Sequence, residues 1–294
     1  KSKVVRRSFK RSLRKNLIQL AEDSSVPLIR DRLRDFDVIY SSAPTEMVED
    51  LMCHGLGIVA IDRVVELSTN LDPSLVSQLL LERHDRVGEE RTFGVRIKRL
   101  GVKGEWDSQS YARALGAALI ERDPSLSVDL SNPEWWVKII LESASVSSIE
   151  KRILGPGGLP TGVQGDVLVQ LKTEEDTMSS FLIMRRGSRI IPILDSKPEF
   201  VKLLSKWDPF IGIRSRTKDD TGYMFQRPAW GVVGLTLEQA KPHIQRRDAA
   251  IKTTPLSTLE PLCGCTGAEK SSLWQHINAP SKYRPHPDTT SWFE

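Results

Sequence analysis

Lys1, Lys3, Arg6, Arg7, Lys10, Arg11, Arg14 and Lys15 crowd the first fifteen residues, where no acid occurs. That density of guanidinium and ammonium groups suits contact with phosphates, which sets affinity and salt dependence without reading base sequence. A second set, Arg96, Lys98 and Arg99, alternates with Val95 and Ile97, and Lys103 follows it. Taken singly, each cation serves equally well as a solubilising surface group. Trp106, close to Lys103, either stacks on a base or packs as a half-covered side chain.

Cys263-Gly264-Cys265 is a pair whose thiols could bind a metal or hold a persulfide. Its spacing is not the C-x2-C of common zinc and cluster sites, and no second pair exists, so structural thiols are the simpler reading. Cys53, after Met52 at the end of an apolar helix, is expected to be buried. His54, His84, His243, His276 and His286 are scattered, with no paired spacing such as H-E-x-x-H. Each reads as a surface or core residue, and no metal is expected. Motifs for a serine nucleophile elbow, a Walker A loop or a dinucleotide fingerprint are missing.

The elements that must position these residues follow from periodicity. Phe9, Leu13, Leu17 and Leu20 recur at helical steps, predicting an amphipathic helix over 4–20 with a basic outer face. Val38–Tyr40 reads as a strand, Glu46–Met52 as a helix capped by Thr45, and 55–61 as a turn into a further strand. This order suits half of a ferredoxin-like domain, whose first strand would be truncated at Lys1. Next come a helix over 75–86, a strand over 92–99 and a helix over 107–121 capped by Ser108. Strands over 128–130 and 135–141 follow, separated by the Asn132-Pro133 turn. Gly155-Pro156-Gly157-Gly158-Leu159-Pro160 is dense in residues that break regular structure and reads as a linker. Beyond it, 166–171, 177–185 and 189–194 give strand, helix, strand, which implies a parallel βαβ unit. A strand over 230–235, a helix over 237–245 and an irregular tail from Pro280 complete the chain.

With 294 residues, 39% hydrophobic and 27% charged, the chain has ordinary globular composition and is long enough for two or three cores. The formal charge is only +4, so the clustering of cations matters more than their sum. No apolar run is long enough to span a membrane, and no apolar stretch follows the basic start as in a secretory signal. A cytoplasmic protein is expected, and three cysteines suit a reducing compartment. The start at Lys1 rather than Met suggests that an initial segment is missing.

Lys1 to Phe9 resembles the start of the ferredoxin-like domain of the tRNA 4-thiouridine synthetases, or tRNA sulfurtransferases. Thr92 to Leu130, with Val95-Arg96-Ile97-Lys98-Arg99 leading to Gly116 and then Val128 to Pro133, is similar to a THUMP domain, an RNA-binding module of tRNA-modifying enzymes. Gly157 to Leu168 is similar to the segment before the ATP-binding loop of that family. The resemblance implies an α/β and α+β multidomain chain. A ferredoxin-like domain over 1–72 and a THUMP domain over 73–153 would be followed by a linker over 154–165. A Rossmann-like, parallel-sheet ATP pyrophosphatase (PP-loop, adenine nucleotide alpha hydrolase-like) domain would occupy 166–294. It also implies tRNA as partner, with Arg6, Arg7, Lys10, Arg11, Arg14, Arg96, Lys98, Arg99 and Lys103 as contact residues.

The family adenylates uridine through a Ser-Gly-Gly-x-Asp-Ser loop. The corresponding stretch here, Leu171-Lys172-Thr173-Glu174-Glu175-Asp176-Thr177, has no glycine and places three carboxylates where a phosphate should sit. ATP and Mg²⁺ would be cofactors only if Asp176 and Thr177 stood for the family's Asp-Ser. The relay cysteine of many members has no counterpart in 280–290, leaving Cys263 or Cys265 as the thiols an active enzyme would use. The expectation is a tRNA-binding member of thiolation with a degenerate nucleotide site, served by a catalytic or sulfur-donor protein. The alternative is an active synthetase.

Overall fold

The computed structural model describes residues 2–33, 36–101, 104–193, 195–218, 224–226, 229–243 and 257–283. Lys103, His286 and most of the tail from Pro280 lie outside them. In chain order the elements are α1 (Lys3–Asp23), β1 (Ile29–Leu33), β2 (Phe36–Tyr40), α2 (Thr45–Cys53), β3 (Ala60–Ser68), α3 (Pro73–Leu81), β4 (Arg91–Arg99), α4 (Ser108–Arg122) and β5 (Leu126–Val128). They continue as β6 (Trp135–Leu141), β7 (Val146–Leu154), β8 (Asp166–Val169), α5 (Glu174–Arg185), β9 (Arg189–Pro192), α6 (Pro198–Ser205), β10 (Arg216–Lys218) and β11 (Met224–Gln226). The last are β12 (Ala229–Val233), α7 (Leu237–Ala240), β13 (Ser257–Thr258) and α8 (Gly267–Asn278). The arrangement is a multidomain mixed α/β fold.

Two units are distinguished: Lys1–Ile29 with Tyr40–Ile61 and Leu154–Glu294, and Arg30–Ile39 with Asp62–Ile153. Residues 1–72 contribute to both. In the second unit a five-stranded sheet runs in the order β3-β7-β6-β4-β5, with β4 parallel to β5 and β6, and β6 antiparallel to β7. Phe93, Val137, Ile139 and Leu141 bury one sheet face against Val76 and Leu80 of α3 and Tyr111, Leu115 and Leu119 of α4. These two helices carry apolar residues at three- and four-residue steps, so each presents one stripe to the sheet.

In the first unit a four-stranded sheet has the order β13-β12-β8-β9, every pairing parallel. The βαβ unit expected from the sequence is β8-α5-β9, paired from Asp166 opposite Arg189 to Val169 opposite Pro192. β8 reads as an apolar run because it is covered on both sides. Val167, Val169, Phe181, Met184, Ile190, Trp207, Val233, Leu273 and Ile277 build one core with α5 and α8. The glycine-rich segment is hydrogen-bonded along its length: Leu159 N–H donates to Arg185 O (2.8 Å), Gln164 N–H to Gly187 O (2.9 Å), and Gly57 N–H to Gly157 O (2.7 Å).

Several boundaries differ from expectation for local reasons. Pro44, not Thr45, is the last non-helical residue before α2, and it offers no side-chain cap. Asp107, not Ser108, caps α4, its Oδ1 accepting from Gln109 and Ser110 N–H, both at 2.8 Å. α3 starts early, because Asp72 caps Ser74 N–H and Pro73 fills the first turn, and it ends at Leu81. α7 stops at Ala240 in a 3-10 turn over Lys241–His243 containing Pro242. β7 and α6 were not anticipated.

Candidate nucleic-acid interface

α1 is a helix because Ser2 caps it, Oγ accepting from Val5 N–H at 3.3 Å, and because Leu20 and Ala21 anchor its far end in the core. Asn16, buried, donates from Nδ2 to Thr161 Oγ1 (2.9 Å) and Thr161 O (3.1 Å), fixing the helix against the 154–165 segment. Lys15 Nζ lies 4.3 Å from the Phe210 ring. With one face so occupied, Arg6, Arg7 and Arg11 are exposed, while Lys10 and Arg14 are half-buried. The first turn holds no acid. The positive end of the helix dipole therefore adds to the side-chain charge.

In the second unit, Arg96 is exposed and Lys98 and Arg99 are half-buried on β4. Burial lowers the Lys98 pKa, against the nearby Asp62 carboxylate, which raises it. Alternation turns Arg96 and Lys98 to the face opposite Phe93, whereas Arg99 shares the parity of the core residues. The three cations of this strand are thus not one row. Trp106 packs edge-on against Tyr111, with ring centroids 5.4 Å apart, and covers the core. Of its two readings, packing is the one observed. Trp136 and Lys138 of β6, which the sequence reading left out of the interface, lie beside Gly94 and Arg96 in register. Strand parity put them on one face, but only the pairing of β4 with β6 brings them to Arg96.

A second candidate site is the carboxyl edge of the parallel sheet, where ligands of such folds bind in the crevice flanking a central strand. After β8 the chain passes Leu171 to Thr173, whose Oγ1 accepts from Asp176 N–H at 3.1 Å and caps α5. Asp176 Oδ2 in turn accepts from Thr173 N–H (2.9 Å) and Lys172 N–H (3.0 Å). The carboxylate leans on the turn after β12: a Cβ built at Gly234 would lie 2.9 Å from Asp176 Oδ1 and 2.5 Å from Gln170 O. Thr177 is buried, its hydroxyl donating to Thr173 O at 3.0 Å. Glu174 and Glu175 are exposed on the first turn.

Cys263 and Cys265 follow β13 on the same edge, the first exposed and the second half-buried, with Gly264 between them at φ 85°. Burial and the nearby Glu269 push the Cys265 thiol above its usual value. Among the described residues no group of three or more His, Cys, Asp or Glu could hold a metal. Cys53 is buried, as expected.

Two histidines that look unrelated in the sequence meet in the first unit's core. His54, at the end of α2, and His276 of α8 both contact Trp207, with ring centroids 4.8 and 5.4 Å away. Each Nδ1 lies 2.8 Å from a backbone carbonyl, of Asp50 and Tyr283 respectively, so each Nδ1 carries the proton and donates. Each Nε2 is buried without a hydrogen-bond partner among the described residues. Burial lowers both pKa values, that of His276 to about 4.

No protein-family model matches the chain. Among curated proteins it is 32% identical over 196 residues to the tRNA sulfurtransferase of Edwardsiella ictaluri, a match covering 65% of this chain and 40% of that protein. It is 28% identical over 224 residues to the probable tRNA sulfurtransferase of Methanocaldococcus jannaschii, covering 71% and 58%. The chain therefore spans about half the length of these relatives. Among solved structures, PH1313 of Pyrococcus horikoshii superposes with a TM-score of 0.68 at 21% identity over 94% of this chain and 95% of that one. A 4-thiouridine synthetase crystallised with RNA and bound ATP superposes at 0.64 and 17%, over 94% and 81%. With both units built as described, the chain is similar in sequence to tRNA sulfurtransferases over about two thirds of its length and shares the fold of these two solved structures.

Proposed function

We propose that this chain is a tRNA-binding member of the tRNA sulfurtransferase family in which the ATP crevice is closed, so that it serves tRNA thiolation by presenting the RNA. The THUMP module over 73–153, the ferredoxin-like segment over 1–72 and the PP-loop-type region over 166–294 are part of the same reading. The single observation that carries the closed crevice is Asp176. In a phosphate-binding loop, backbone N–H groups at the helix start are left for the ligand. Here the N–H groups of Lys172 and Thr173 are taken by the Asp176 carboxylate, a built-in anion at the place of an external one. Glu174 and Glu175 add charge of the same sign as a polyphosphate.

Support for tRNA comes from α1 and β4 and from the relatives, which are named as tRNA sulfurtransferases. An unbroken basic segment on the positive end of a helix dipole is self-repelling in isolation and is relieved by a polyanion. Arg6, Arg7, Lys10, Arg11 and Arg14 are the contacts from α1, and Arg96 and Lys98 those from β4, with Arg99 and Lys103 as flanking charges. The catalytic or sulfur-donor protein is a second partner on this reading.

A second reading, an active synthetase, is favoured by the placement of Cys263 and Cys265 on the carboxyl edge with the loop after β8. Asp176 would then have to turn away to meet Mg²⁺, and a thiol would carry sulfur. Calorimetric titration with ATP and Mg²⁺, with and without tRNA transcript, separates the two. No saturable heat is expected in either case; a saturable heat that Cys263→Ser leaves intact, joined to thiolation that Cys263→Ser abolishes, would establish the active enzyme instead.

A further inference from the structure

At the amino ends of β8, β9 and β12, opposite the edge that carries the loop after β8, the first unit holds a cavity of about 560 Å³. That volume suits a small organic ligand. Leu159 and Gln164 line it from the glycine-rich segment, Ile183, Arg185 and Arg186 from the end of α5, and Ser188 and Trp230 from the strand starts. Trp230 reaches it because β12 is irregular. Ala229 pairs with Asp166 and Gly231 with Val167, which leaves Trp230 as an extra residue between them. A bulge of this kind re-aims a side chain. Gly165 makes room for the indole, since a Cβ there would overlap Trp230 Cδ1 and lie 3.1 Å from Nε1. The ring is half-buried and packs against the core shared by α5 and α8.

Charge at the cavity has one sign. Arg186 is exposed, Arg185 is buried, and no Asp or Glu is among the described residues that line it. Nor does the end of α5 present bare carbonyls. Arg186 N–H donates to Ile183 O (3.1 Å), Gly187 N–H to Met184 O (2.8 Å) and Leu159 N–H to Arg185 O (2.8 Å). A ligand therefore meets cations, an indole, a hydroxyl and an amide. Guanidinium forks match phosphate oxygens bidentately, and an indole takes a flat ring by stacking. Two cations suit a phosphate dianion better than a single carboxylate, while the negative end of the α5 dipole opposes a longer phosphate chain.

We propose that this cavity binds a nucleoside monophosphate, its base against Trp230 and its phosphate on Arg186 and Arg185. The site is separate from the carboxyl edge, so it stands whether or not the crevice there is closed.

Equilibrium dialysis of the full chain against adenosine and uridine 5′-monophosphates, without metal, tests it, with the nucleosides and inorganic phosphate as partial probes. Saturable binding of a monophosphate, tighter than either of its parts, is expected. Arg186→Gln and Trp230→Leu should each weaken it roughly tenfold, and thermal unfolding verifies that each variant is folded. Because Arg186 is exposed, its variant still decides the matter if Trp230→Leu does not fold. Asp176→Ala, at the opposite edge, should leave the affinity unchanged. A change with Asp176→Ala and none with Arg186→Gln would move the nucleotide to the carboxyl-edge crevice, overturning both this site and the closed crevice. No saturable binding, or equal affinity for phosphate alone, would overturn the cavity site and leave the tRNA reading in place.

Discussion

The carboxylate of Asp176 accepts two backbone N–H groups at the start of α5 within a reciprocal cap. Thr173 holds Asp176 N–H, and Asp176 holds Thr173 and Lys172 N–H. Asp176→Ala is therefore expected to cost about 1 kcal/mol of stability by urea unfolding, without creating ATP binding, because Glu174 and Glu175 remain. The sequence reading noted the acidic helix start but began the helix at residue 177, so the Thr173–Asp176 cap was missed although it needs only residues three apart. The meeting of the buried His54 and His276 was not legible, because nothing local to either names Trp207 as a common neighbour. His276 has a folded pKa of about 4 against an ordinary 6.5, so below 6.5 the unfolded chain binds the extra proton first. Its contribution is complete above pH 6.5 and is lost as pH falls towards 4, on the order of 3 kcal/mol. Unfolding followed by tryptophan fluorescence should show a lower midpoint at pH 4.5 than at pH 7.5, and His276→Gln should flatten that difference.

Among elements, α1 was the most readable, with an apolar stripe at helical steps and cations on the remaining surface. Replacing Arg7 and Arg11 together by Ala should leave helicity by circular dichroism unchanged. The slope of log affinity for tRNA against log salt should shrink by about 1.5 to 2; an unchanged slope would mean that these side chains only solvate the helix. β7 was hidden because Val146, Ile149 and Ile153 are spaced as on a helix although the segment pairs with β6. Tertiary pairing, not local pattern, makes it a strand. α6 was hidden behind Pro198, which ends a helix internally but is well placed in the first turn of one. The contact of Arg96 with Trp136 was half legible: parity assigned its face, and the parallel pairing of β6 with β4 supplied the neighbour.

For the whole molecule, the parallel βαβ arrangement and the multidomain α/β class could be read from the chain, because runs covered on both faces and glycine-rich turns are local signals. The distribution of residues 1–72 over two units could not, since it depends on contacts far apart in sequence. The segment after β7 is held within the first unit. Gly158 has φ 73°, and a Cβ there would overlap the Arg185 carbonyl. Arg185, whose Nε donates to Pro156 O at 2.9 Å, closes the same turn. Gly158→Ala should destabilise the first unit by roughly 1–3 kcal/mol, visible as an earlier transition in thermal unfolding.

On the proposed function, this chain binds tRNA through fixed cations. The most direct measurement is a titration of the purified protein with unmodified tRNA transcript at several salt concentrations. Affinity that falls steeply and linearly on a log–log plot, with tRNA preferred over a duplex RNA of equal length, is the predicted result. Weak binding that does not change with salt, or no preference for tRNA, would contradict it.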